Sequence, residues 1–129
     1  MSDDQKAVLA VNEAFYRAFE KRNLEAMTAV WSQGTGSLCI HPGRDALRGW
    51  DKIRFSWQQI FEHTSYLEID IDIVSAEVGS NLAYVVLREN LLQVSQGREL
   101  KAQSMATNIF ERMGQKWYLI HHHGSPLVD

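Results

Sequence analysis

The segment Leu67-Glu68-Ile69-Asp70-Ile71-Asp72-Ile73 decides the fold, because it changes the hydrophobic period of the chain. Its apolar side chains alternate one by one with carboxylates, which is typical of a β-strand with one buried face and one wet face. Turn residues at 79–81, 95–97 and 113–115 then separate long apolar segments. This pattern predicts an antiparallel meander. Its strands are expected at residues 67–73, 82–94, 99–112 and 116–123.

Upstream of residue 65 the apolar residues recur at helical spacing instead. A stripe from Val8 to Phe19 predicts a first helix, with Ser2 as its N-cap. Asn23 either ends that helix or caps the next one. The other expected elements are a short helix at 24–31, a short strand at 37–41 and an amphipathic helix at 50–63. Helices followed by long antiparallel strands predict an α+β fold. We expect a cone-shaped half-barrel, in which the N-terminal helices pack on a strongly curved antiparallel sheet.

Composition limits the function classes. The chain has 129 residues, of which 45% are hydrophobic and 22% charged, so we expect a single domain over residues 1–129. The net charge is −3 and no basic stripe occurs, which predicts no nucleic-acid partner. No apolar run approaches the roughly 20 residues that span a bilayer, so we expect no membrane partner. The lone Cys39 and an acidic N-terminus predict a cytoplasmic protein.

The triplet His121-His122-His123 is the first candidate for chemistry. Strand alternation puts His121 and His123 on the face of Trp117 and Leu119, which we expect to be inward, and His122 on the other face. Three interpretations of the inward pair remain open: a metal site, a hydrogen-bonded structural pair, and the polar lining of a ligand pocket. A catalytic zinc needs a third protein ligand and no H-E-x-x-H motif is present, so we predict no metal.

Charged and polar residues inside the apolar strands are the second signal. Arg88 and Glu89 lie on opposite faces of one strand, and a buried charge is costly unless it is paired. One of the two is therefore expected to face a wet cavity or a partner group, and which one remains open. Asn108 raises the same question on the next strand. His41, before a Pro-Gly turn, fits either a pocket mouth or the surface, and Trp57 fits a core or a pocket wall.

Several stretches together resemble the nuclear transport factor 2-like superfamily, in particular its SnoaL-like members. They are His41-Pro42-Gly43, residues 49–53, 56–61 and 106–112, and the ending Lys116 to Pro126. The ending is also similar to the association domain of calcium/calmodulin-dependent protein kinase II. Arg88 matches a pocket arginine of that domain, whereas Asn108 stands where it has a second arginine. This departure argues against a strongly anionic ligand.

The resemblance implies a cone with a deep pocket and a homodimer packed through the outer sheet face. It supports a small-molecule-binding protein with a polar pocket inside the cone. The expected lining residues are His41, Trp57, Arg88, Asn108, His121 and His123. An enzyme version would be an isomerase or dehydratase, in which His121 or His123 is the acid and base. The alternative is a non-catalytic association module. Whether the protein is an enzyme remains open, and no cofactor is predicted.

Overall fold

The computed structural model describes residues 2–128, which form three helices and six strands. The helices are α1 (Asp3–Glu20), α2 (Leu24–Val30) and α3 (Trp50–Glu62). The strands are β1 (Leu38–Ile40), β2 (Leu47–Arg48), β3 (Tyr66–Val78), β4 (Leu82–Ser95), β5 (Arg98–Met113) and β6 (Lys116–Pro126). They form one sheet in the order β2-β1-β6-β5-β4-β3. The sheet is curved and unclosed, and the helices pack against it, so the predicted α+β cone is confirmed.

Side-chain caps begin the first two helices where the sequence placed them. The Ser2 hydroxyl accepts a hydrogen bond from the Gln5 backbone at 3.1 Å, and the Asn23 side chain accepts one from Ala26 at 3.0 Å. Asn23 therefore caps α2. The Gln5 side chain does not complete a capping box but donates to the Ala76 carbonyl oxygen at 3.1 Å. This bond ties α1 to β3, one of the two edge strands of the sheet.

The meander β3-β4-β5-β6 is antiparallel throughout, as predicted. The sequence did not indicate the two-residue strand β2, nor that β1 pairs with β6 in parallel. That parallel pairing sets Cys39 beside His122 and Ile40 beside His123. It brings the segment around His41 to the end of the last strand. There Gly124 lies so close to Pro42 that an added Cβ would come within 2.9 Å of the proline ring.

A β-bulge in β6 corrects the predicted orientation of the histidine triplet. Phe110 lies opposite Leu119, but the preceding residue Ile109 lies opposite His121, so β6 contains one additional residue. Beyond that point the alternation of faces shifts by one. Leu119 and His122 both point inward, whereas His121 and His123 point to the outer face. The prediction that His121 and His123 share the inward face of Leu119 is therefore wrong.

Aromatic residues dominate the core between the helices and the inner face of the sheet. The largest fully buried side chains include Trp31, Trp57, Tyr16, Phe15 and Phe110. Phe15 of α1 has edge-on contacts with Trp31 and Trp57, at ring-centroid distances of 6.2 and 5.6 Å. This packing fixes α3 over the sheet. Within residues 2–128, none of the helices combines the length and the apolar character needed to cross a membrane.

Candidate functional site

Five polar side chains are buried together in this aromatic core. We call them the buried polar cluster: Asn12 and Tyr16 on α1, Glu89 on β4, Asn108 on β5 and His122 on β6. None of the five is more than 2% exposed. Buried polar groups are tolerated only when hydrogen bonds satisfy them, and a buried carboxyl is especially costly. Such a group in an aromatic core marks a candidate site.

Hydrogen bonds join the cluster into a directed chain. The Asn108 amide nitrogen donates to Asn12 Oδ1 at 2.9 Å and to Tyr16 Oη at 3.1 Å. This orientation leaves Asn108 Oδ1 as the acceptor for His122 Nδ1, at 2.6 Å. The Tyr16 hydroxyl in turn donates to Glu89 Oε2 at 2.6 Å. Because Asn108 uses both ends of its amide, it fixes the tyrosine on one side and the histidine on the other.

This chain determines the tautomer of His122. Since Nδ1 donates to an amide oxygen, the neutral imidazole carries its lone pair on Nε2. Nε2 lies 4.0 Å from Glu89 Oε2, which is too long for a hydrogen bond. Burial, reinforced by the neighbouring histidines, lowers the pKa of His122 to about 3, so the two residues do not form an ion pair. The hydrogen bonds within the cluster use His122 Nδ1 and Glu89 Oε2.

Glu89 has the protonation behaviour of a general acid or base. Burial raises the pKa of Glu89 to about 7, and the hydrogen bond from Tyr16 only partly offsets this effect. A carboxyl with a pKa near neutrality is present in both protonation states at physiological pH, which suits proton transfer. Burial, together with the Glu89 carboxylate, also raises the pKa of Tyr16. Tyr16 therefore remains a hydrogen-bond donor.

Trp57 and His41 connect the cluster to the open end of the cone. The Trp57 ring lies 6.2 Å from the His122 ring and 4.9 Å from the His41 ring. His41 Nε2 donates to Ser56 Oγ at 2.9 Å, because that hydroxyl gives its own proton to the Ile53 carbonyl oxygen. Burial, with Arg44 nearby, lowers the pKa of His41 to about 4, so its imidazole is neutral. The buried Trp57 indole N–H has no acceptor within residues 2–128.

A cavity of about 660 Å³ lies beyond His41. Its lining includes His41, Ser56, Gln59, Thr64 and Gln93, with Arg44. None of its lining residues belongs to the buried polar cluster, which lies behind Trp57. A larger cavity of about 780 Å³, lined in part by Asp70, Lys101 and Leu127, shares no residue with it. The cavity at His41 is separated from the cluster by Trp57, whose ring packs against His41 on one side and His122 on the other.

The structure brings together only some of the predicted site residues. Trp57 and Asn108 contact or adjoin His122 in the interior, and His41 lies at the cavity. Arg88 is exposed and Glu89 is buried, which settles the open choice between them. His121 and His123 lie together on the outer face, with ring centroids 6.3 Å apart. Their ligand-binding role, like that of Arg88, stays a prediction, and the geometry separates all three from the cluster.

Sequence reasoning missed Asn12 and Tyr16. Both lie on the buried stripe of α1, between Val8 and Phe19, and they face Glu89 and Asn108. The available signal was an asparagine inside an otherwise apolar helical stripe. Within the described chain, no group of three or more His, Cys, Asp or Glu residues has the arrangement to hold a metal ion.

Comparisons with known proteins agree on one family. The sequence profile of the SnoaL-like domain matches residues 8–129. The F-box protein SKIP8 of Arabidopsis thaliana is 27% identical over 123 residues, which are 95% of this chain and 51% of that protein. The chain thus spans about half the length of this curated relative.

Two solved structures are similar over nearly their whole length. A proposed dehydratase of the NTF2-like family from Streptomyces avermitilis is 27% identical, with a TM-score of 0.89 over 96% of this chain and 97% of that one. A proposed calcium/calmodulin-dependent protein kinase type II association domain from Thiobacillus denitrificans is 28% identical. Its TM-score is 0.83, over 92% of this chain and 94% of that one. The first of these two proteins is described as a dehydratase and the second as an association domain.

Proposed function

The chain belongs to the SnoaL-like domain family, and we propose that it binds an uncharged small organic molecule inside the cone and performs acid–base chemistry on it. The observation that carries this proposal is the buried Glu89 carboxyl, whose pKa is raised to about 7 in an aromatic surrounding. The dehydratase description of the Streptomyces avermitilis relative supports the reaction class. Fold alone would not, since this fold serves many functions.

The ligand is expected to be uncharged because no Lys or Arg side chain is buried within residues 2–128. Arg88, the residue predicted to hold a carboxylate, is exposed on the outer face. The buried polar cluster holds one carboxyl, one neutral imidazole, two amides and one phenol. An anion placed beside Glu89 would be repelled in a medium of low dielectric constant. A carbonyl or hydroxyl compound that enters from the cavity at His41 avoids this penalty.

In this proposal Glu89 replaces His121 and His123 as the acid and base. Its carboxylate takes a proton from the carbon next to the ligand carbonyl, and negative charge develops on the carbonyl oxygen. The unpartnered Trp57 indole N–H donates a hydrogen bond to that oxygen. The protonated Glu89 then returns the proton, either to another carbon of an isomerised product or to a hydroxyl group that leaves as water. Tyr16 positions the carboxyl through its 2.6 Å bond.

Binding can be tested by NMR on ¹⁵N-labelled protein. We expect uncharged cyclic ketones to shift the Trp57 indole signal, and matched cyclic carboxylates at the same concentration to leave it unchanged. Trp57→Phe should abolish the response. Trp31→Phe is the matched control, because Trp31 is equally buried with an unpartnered N–H. Carboxylates that bind as well as ketones, or no response to any ketone, would contradict the proposal.

The outer sheet face favours self-association as a second function. One row of paired residues crosses all six strands on this face: Arg48, Leu38, His121, Ile109, Tyr84 and Glu77. The centre of the row is uncharged and its two ends carry opposite charges. An apolar centre with a charged rim is typical of protein interfaces. We therefore propose a homodimer through this face, the arrangement that the family resemblance implies.

A two-fold axis along the strands, between β6 and β5, would reverse the row and set Arg48 of one protomer opposite Glu77 of the other. We expect Tyr84→Glu to convert a dimer into a monomer in sedimentation velocity. Phe55→Glu is the control, since Phe55 is also exposed but lies on α3, away from the sheet face. Charge reversal at Arg48 alone should weaken the dimer, and reversal at both Arg48 and Glu77 should restore it. A wild-type monomer at micromolar concentration would remove the dimer.

We also propose a cytoplasmic location. The Cys39 thiol is free and buried beside His41, at 3.7 Å from Nε2. Burial raises its pKa well above the usual value, so it is a weak nucleophile. A lone reduced thiol in the core fits a reducing compartment.

A further inference from the structure

The histidines on the outer face have no role in the interior chemistry, and their position suggests one of their own. We propose that His121 and His123 make the outer-face homodimer sensitive to pH, so that it forms when both imidazoles are neutral and dissociates when they are protonated. This inference rests on the homodimer proposed above. It does not depend on the ligand or on Glu89.

The two imidazoles lie near the centre of the apolar surface. His121 belongs to the row described above, between Leu38 and Ile109. His123 belongs to the neighbouring row, between Ile40 and Thr107. Their rings lie 6.3 Å apart in an edge-on arrangement. All four flanking residues are uncharged, so a proton on either imidazole would place a charge in the middle of the proposed interface.

The two-fold axis that pairs Arg48 with Glu77 passes beside the two histidines. It runs between β6 and β5, and therefore brings the histidine pairs of both protomers together across the axis. Strands are about 4.8 Å apart within a sheet, so the two β6 strands would face each other across the interface with a sideways offset of roughly one strand spacing. Four imidazoles would share this small area. Protonation would then cost both desolvation and repulsion between like charges.

Few charged groups are near enough to stabilise the protonated pair. Glu111 lies on the neighbouring strand β5, two residues beyond Ile109, which is paired with His121. Asp72 and Glu77 lie on β3, three strands away. The cations lie closer in the sheet than these two carboxylates, since Arg48 on β2 and Arg88 on β4 are each two strands from β6. The inner face contributes the neutral His122 and, beyond it, Glu89.

The direction of the pH effect follows from burial. Partial burial, and then the adjacent His123, lower the pKa of His121 even in the isolated protomer. Covering the face with a second copy would lower it further, so association would release protons. The dimer is then present above the pKa of His121 in the free protomer and is lost as the pH falls through it. Each proton excluded by association can raise the dissociation constant by up to about tenfold per pH unit.

Sedimentation velocity at about pH 8 and about pH 6 tests the inference. We expect the dissociation constant of the wild-type dimer to rise at least about tenfold at the lower pH. The double variant His121→Asn and His123→Asn should dimerise to the same extent at both values. His63→Asn is the control, since His63 is an exposed histidine at the end of α3, and it should retain the wild-type response. Circular dichroism at each pH reports whether every variant is folded.

The outcomes separate this inference from the dimer itself. A wild-type dimer of equal affinity at both pH values would overturn the switch and leave the dimer intact. A double variant with an unchanged pH response would overturn the assignment to these two histidines. A wild-type protein that is monomeric at both values would overturn the dimer and the switch together.

Discussion

Replacing Glu89 with glutamine is expected to stabilise the protein at about pH 8 by about 3 kcal/mol, since a rise of the pKa from 4.5 to about 7 costs about 1.4 kcal/mol for each pKa unit. The pKa of Glu89 is raised from 4.5 in its ordinary state to about 7 by burial. Below the unfolded value both states are protonated, and the carboxyl imposes no ionisation cost. As the pH rises through about 7, the folded state must hold a buried anion that the unfolded state solvates. Stability is therefore lost between about pH 4.5, where the carboxyl of the unfolded chain ionises, and about pH 7. The neutral amide avoids this loss.

Urea unfolding at about pH 8 and about pH 4.5 measures this effect, which should vanish at the lower pH. Glutamine retains an acceptor for the Tyr16 hydroxyl, so the hydrogen-bonded chain remains. The control is Glu99→Gln, at an exposed carboxylate on β5, where no such change is expected. A gain in stability combined with loss of proton transfer is the usual sign of a functional group kept at the expense of stability. Equal stability of Glu89→Gln and wild type at both pH values would show that Glu89 is not strained by burial.

The helices and long strands follow from the sequence because their periodicities are long and regular. The stripe from Val8 to Phe19 and the alternation from Leu67 to Ile73 each repeat several times, so a single exception does not hide them. The two-residue strand β2 offers no such repetition. Its position depends on pairing with β1, which is a tertiary contact.

The orientation of the histidine triplet could not be predicted from alternation alone. Counting by two from Trp117 is correct as far as Leu119, and the bulge at Ile120 then moves every later side chain to the other face. Nothing in the local sequence marks this bulge. The bulge depends on how β6 pairs with β5. Residues on both sides of Ile120 keep their own partners on β5, and the extra residue is left between them. A one-residue irregularity was therefore enough to exchange His122 with its two neighbours.

The choice between Arg88 and Glu89 was open for a similar reason. Both lie among apolar residues of β4, and either one satisfies the same alternating pattern. The deciding contact is the hydrogen bond from Tyr16, which is 73 residues away in the sequence. Trp57 and Asn108 both lie in the interior, and their expected ligand-binding role stays a prediction. The groups that contact them belong to other elements: Asn108 bonds to side chains of α1 and β6, and Trp57 packs against Phe15 of α1.

Replacing Asn108 with alanine is expected to lower the free energy of unfolding by about 3 kcal/mol, because it leaves several buried groups without partners. The substitution removes the donor for Asn12 Oδ1 and Tyr16 Oη, and the acceptor for His122 Nδ1. No water can reach these fully buried atoms without opening the core. The matched control is Asn90→Ala on β4, whose bonds to Asp72 and Gln103 are near the surface. It should cost less than about 1 kcal/mol.

The same variant separates a structural from a positioning role for Asn108. Without the amide oxygen, nothing in the described structure holds the proton of His122 on Nδ1, and Nε2 can then carry it towards Glu89 at 4.0 Å. Imidazole ¹⁵N chemical shifts report this change of tautomer directly. We expect the wild type to show a single Nδ1-protonated form and Asn108→Ala a mixture of both. An unchanged tautomer in a destabilised variant would mean that Asn108 only fills and satisfies the core. A changed tautomer would mean that one amide sets both the tyrosine–carboxyl bond and the face that His122 presents to a ligand.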